Sequence, residues 1–71
     1  MGVKKIEPAA MGEAVNERIA YLWQAMQHER REAENSEHSP RVRRFLRRVA
    51  DVHRDDLRLL LQIRREARRL T

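Results

Sequence analysis

The large apolar residues of this chain fall into two runs with helical spacing. Met11, Val15, Ile19, Leu22 and Met26 recur at steps of four, four, three and four, which stacks them on one face of a helix with about 3.6 residues per turn. Trp23 and Ala33 border or extend that face. Pro8 suits a first helical turn, where its missing N–H costs nothing. The pattern therefore predicts helix one over residues 8–34, preceded by a short basic arm, residues 1–7, that carries Lys4 and Lys5. Gly12 costs about 1 kcal/mol relative to Ala inside a helix, which would allow an onset one turn later.

Asn35, Ser36, Glu37, His38 and Ser39 form the single stretch rich in turn residues, so residues 35–39 are expected as the loop. Ser39 followed by Pro40 offers an N-cap and then a first-turn residue. Helix two is expected over residues 40–70. Its apolar side chains are Val42, Phe45, Leu46, Val49, Val52, Leu57, Leu59, Leu60, Ile63, Ala67 and Leu70. With residues placed every 100°, they cover an arc of roughly 160°, more than one antiparallel neighbour can bury. The expected fold class is all-α: a two-helix antiparallel hairpin, one domain over residues 1–71, that dimerises into a four-helix bundle. Trp23, Phe45, Leu46, Val49, Leu57 and Leu60 are the residues expected at the dimer or partner interface.

Composition strengthens the case for a partner. Hydrophobic residues make up 41% of the 71, but eight of them are Ala and one is Met1, which leaves 20 large apolar side chains. At about 1.5 kcal/mol of ordering entropy per residue, a lone hairpin with that core barely breaks even. The chain has no Cys, so neither a disulfide nor a thiolate metal site can make up the difference, and oligomerisation is the remaining remedy. No apolar run approaches the roughly 18 residues needed to cross a bilayer, and the first 30 residues lack a signal-peptide segment. No membrane partner and a cytoplasmic location are expected.

Charge is unevenly divided. Residues 1–39 carry five basic and seven acidic side chains, whereas residues 40–71 carry eleven basic and four acidic, for a total of +5. Arg43, Arg47, Arg54, Arg58, Arg65 and Arg69 lie within about 80° of one another on the helical wheel, opposite the apolar arc. A polyanion or an acidic partner could follow such a stripe. A solvated outer face has the same appearance, and Asp51 and Asp55 stand at pairing distance in sequence from Arg47, Arg54 and Arg58. No aromatic residues are interleaved with these arginines for base stacking.

Asp56 falls in the middle of the apolar arc, with His53 three residues earlier. An ionised carboxylate is expensive to bury alone, so the two are expected as a buried polar layer that sets register, with a ligand pocket as the functional alternative. Two ligands are too few for a metal site unless symmetry doubles them. His28 and Glu32, at i and i+4, are expected as an exposed pair; His38 lies in the loop with no evident task; Tyr21 points away from the apolar face. There is no nucleophile constellation, no Gly-rich phosphate loop, and no usable carboxylate pair, since Asp55 and Asp56 diverge by 100° on a helix. Only Arg30 and Arg64 approach the apolar faces. No enzyme activity, cofactor or metal is expected. The expected function is that of a small protein-interaction or regulatory module, an adaptor or accessory subunit that pairs with itself or with a partner helix. The alternative is nucleic-acid binding through the arginine stripe.

Overall fold

The computed structural model describes residues 8–70, and of residues 8–11 the backbone alone. The basic arm expected over residues 1–7 and the Met11 side chain lie outside the described residues. Two helices, α1 (Pro8–Glu34) and α2 (Pro40–Arg69), make up the structure, with no strand among the described residues.

The loop turns the chain without glycine, and no non-glycine residue among those described takes a positive φ. Backbone hydrogen bonds do the work instead. Asn35 N–H donates to the Glu32 carbonyl at 3.1 Å, and His38 N–H donates to the Asn35 carbonyl at 3.1 Å. The Asn35 side chain also accepts from Glu37 N–H at 3.0 Å, an Asx turn that holds the bend. Ser39 then caps α2: its backbone is extended, with φ −63° and ψ 155°, and its hydroxyl accepts from Val42 N–H at 3.2 Å. A cap of this kind is worth about 1 kcal/mol. At the other end α2 stops at Arg69, one residue short of the expected 70, where Leu70 N–H donates to the Ala67 carbonyl at 3.2 Å.

Where the helices face each other, both follow a step of three and four. The covered positions that keep this step are Val15, Ile19, Leu22, Met26, Glu29 and Ala33 on α1 and Arg43, Leu46, Ala50, His53, Leu57, Leu60 and Arg64 on α2, flanked by the half-covered Ala25 and Glu32 on α1 and Val49, Arg54 and Leu61 on α2. This is the seven-residue repeat of an antiparallel coiled-coil seam. Leu22, Met26, Ala50 and Leu57 are buried at its centre, with Ile19, Leu60 and Leu61 packed against them. Ala33 closes the loop end. Small residues at Ala33 and Ala50 let the two backbones approach.

Such a seam is narrow, and the hairpin measures 51 × 30 × 14 Å, one helix thick. Both broad faces are therefore open. The wide apolar arc of α2 is consequently divided: Leu46, Leu57 and Leu60 turn inward, while Val42, Phe45, Val52, Leu59 and Ile63 remain exposed. No described helix is long and apolar enough to cross a membrane.

Candidate interaction surface

The outward residues of α2 form a second repeat. Val42, Phe45, Val49, Val52, Asp56, Leu59 and Ile63 are spaced three, four, three, four, three and four, each one position before a member of the inward seam, which rotates the second stripe by about 100° from the first. Phe45 is 64% exposed, Val52 59% and Leu59 57%, with Val49 half-buried. Large side chains left wet to this degree along about 30 Å of one helix, at 1.5 Å per residue, make a continuous apolar ridge of the kind that marks an interaction site.

The expected interface residues divide between the two stripes. Phe45 and Val49 stand on the open ridge. Leu57 is buried within the hairpin itself, and Leu46 and Leu60 are half-covered by α1, so these three are occupied by intrachain packing. Trp23 is 50% exposed, and because it lies two residues from Tyr21, about 200° around α1, the two exposed aromatics occupy different faces. On the Tyr21 side, the Arg18 guanidinium stacks over the Tyr21 ring, 5.0 Å from its centroid. Arg18 also lines a hollow with Leu22, Asp56, Leu59 and Leu60, which places the ridge and Tyr21 on the same broad face.

The expected buried layer of His53 and Asp56 is not formed in the hairpin. Asp56 is exposed on the ridge, whereas His53 turns inward and is half-buried. The two side chains are three residues apart, yet they belong to different stripes: His53 lies within the α1 contact, and Asp56 lies at its open edge, in the hollow it shares with Arg18. His53 meets Glu29 instead, its Nδ1 lying 2.9 Å from both carboxylate oxygens. Those side chains are 22% and 12% exposed. Sequence reasoning passed over Glu29 because it looked for apolar residues; the signal was that Glu29 continues the three-four step between Met26 and Ala33.

Two further polar contacts bracket the core. Near the open end of the hairpin, Arg64 donates from Nη1 to Asn16 Oδ1 at 3.0 Å; Arg30 is exposed. At the loop, His38 Nε2 donates to Glu32 Oε2 at 2.6 Å, so Glu32 turns to the loop histidine and not to His28. The hydrogen bond from His38 holds the Glu32 carboxyl below its ordinary value of 4.5, with desolvation opposing and the charges of His38 and His28 assisting. Because the folded pKa is lowered, the stabilisation is present above the unfolded value and is lost as pH falls through the folded one. His38→Ala should therefore raise the Glu32 titration midpoint back toward 4.5, read by carboxyl-carbon NMR. An unchanged midpoint would show that the contact does not persist in solution.

The arginine stripe is not uniformly outward. Arg43 and Arg54 are half-buried along the seam, and the Nε of each is buried without a hydrogen-bond partner. Arg54 lies 3.7 Å from Asp51 and 3.7 Å from Asp55. Arg47, Arg58, Arg65 and Arg69 are exposed, and the pairing of Asp51 or Asp55 with Arg47 or Arg58 is not made. Among the described residues no group of three or more His, Asp or Glu side chains is placed to hold a metal ion. Comparison with protein-family models, with curated proteins and with solved structures finds no match to this chain.

Proposed function

We propose that this chain is a small non-enzymatic interaction module that works as a dimeric helical bundle, an adaptor or accessory subunit that uses the outer stripe of α2 as its contact surface. The observation that carries this reading is the ridge from Val42 to Ile63, a second three-four repeat with exposed Phe45, Val52 and Leu59 on a hairpin only one helix thick. A helix with two such stripes has one for its own hairpin and one for another helix.

The second reading, nucleic-acid binding, is favoured by the exposed Arg47, Arg58, Arg65 and Arg69, which face away from the ridge by about 120° or more. The two surfaces are separable by experiment. Sedimentation equilibrium at micromolar concentration should give twice the monomer mass, and the mass should persist at high salt, because apolar contact is little screened while ionic contact is. A cooperatively folded monomer would overturn the dimeric reading. Non-specific RNA and DNA titrated at about 50 mM salt separate the alternative: steep linear loss of binding on a log–log salt plot supports it, and absence of binding removes it.

A further inference from the structure

The ridge is self-complementary in one orientation and not in the other. Its seven positions run from Val42 to Ile63, with the midpoint between Val52 and His53. A two-fold axis through that midpoint brings Phe45 within one residue of Leu59, and sets Val42 against Ile63 and Val49 against Asp56. All of these levels are apolar except the last. There, Arg48 stands one position before Val49 at the ridge margin, exposed and without an ion pair among the described residues. It lines a hollow with Arg41, Arg44 and Phe45, so the margin beside the first half of the ridge is cationic.

Asp56, conversely, is the single charge within the apolar stripe, and a helix packed there without a donor would strand its carboxylate. An antiparallel second copy supplies a donor twice, once at each Asp56. A parallel copy does the opposite: Asp56 meets Asp56, and the three arginines meet themselves. α1 is a poorer occupant, since on this face it offers Tyr21 and Arg18 with no comparable run of large apolar side chains.

We propose that a second copy of this chain docks antiparallel on the α2 ridge, about a two-fold axis beside Val52, with Arg48 of each copy meeting Asp56 of the other. The geometry is isologous, so the contact closes as a dimer and does not propagate. This rests on the dimeric reading above and adds to it an orientation and a charge lock.

The chain has no cysteine, so single cysteines report orientation directly. Val52→Cys, on the axis, should cross-link to itself with a short bifunctional maleimide. Ile63→Cys should not, because the two copies of residue 63 then stand about 32 Å apart at 1.5 Å per residue; it should instead cross-link to Val42→Cys in a mixture of the two variants. Efficient self-cross-linking of Ile63→Cys would overturn the antiparallel arrangement. R48D and D56R should each weaken dimerisation by about tenfold or more, and the R48D/D56R double variant should recover most of the loss. All five ridge and margin positions are exposed, outside the hairpin core, and circular dichroism checks that helix content is kept. A dimer indifferent to both single reversals, or not recovered by the double one, would overturn the charge lock while leaving the dimeric reading standing. A folded monomer would defeat that reading itself.

Discussion

Leu22→Ala should destabilise the hairpin by about 3 kcal/mol, within the range for emptying a buried leucine site. Among the described residues, Leu22 is the largest fully buried side chain, at 1% exposure. It sits among Met26, Ala50 and Leu57. Alanines already line part of this seam, so the backbone has little room to collapse further and the cavity term should be kept. For a 71-residue chain in its associated state, total stability on the order of 4–10 kcal/mol is expected, and a loss of this size removes a large fraction of it. Urea titration followed by circular dichroism measures the effect. Leu70→Ala is the control: the residue is 88% exposed, and its loss should shift stability by no more than about 0.5 kcal/mol. If Leu22→Ala behaved like the control, the seam at Leu22 would not be the core.

The contrast between Leu22 and Leu70 also indicates what could be read in advance. Ser39 and Pro40 announced the start of α2 because capping is a local matter, decided by a hydroxyl and a ring within one turn. The apolar steps from Val15 to Met26 announced the inner face of α1 for the same reason: period alone selects it. The division of α2 into two stripes was less accessible. Leu57 and Leu59 are equally apolar, and only the position of α1 makes one buried and the other exposed. Asp56 and His53 were grouped because both interrupt apolar neighbours and stand only about 60° apart on the helix; the position of α1 decides that His53 lies on the seam and Asp56 on the ridge. Glu29 was hidden by its type, since a reading that sorts residues into apolar and polar discards the polar members of a seam; Arg64 was visible beside the apolar face, but its Asn16 partner was not. Reading the three-four step without regard to residue type recovers both stripes. The His38 contact with Glu32 depends on the path of the loop, which no periodicity encodes.

The polar member of the seam gives the second large effect. Replacing Glu29 and His53 together by leucine should raise hairpin stability by about 1–3 kcal/mol, because ionic and hydrogen-bonded pairs in covered positions recover little more than their desolvation cost, and apolar groups of similar size recover more. Both side chains are well covered, at 12% and 22% exposure, and they lie across the helix–helix contact where leucine at either position would meet leucine. The single variants should behave differently. Glu29→Leu leaves the His53 Nδ1 facing an apolar side chain, and His53→Leu leaves the Glu29 carboxylate without its donor, so each should be less stable than the double variant, and the double variant should be more stable than the sum of the two single effects gives. Urea unfolding of the four proteins closes the cycle; a double variant less stable than the parent by more than about 1 kcal/mol would mean that the pair contributes net stability. The gain should come with a loss of specificity. With Glu29 and His53 gone, the inner seam and the ridge of α2 become more alike, and only Arg43 and Arg64 at the ends of the seam and Asp56 on the ridge still distinguish them. Sedimentation of the double variant should then show species larger than those of the parent chain, as α1 competes less decisively for its own side of α2.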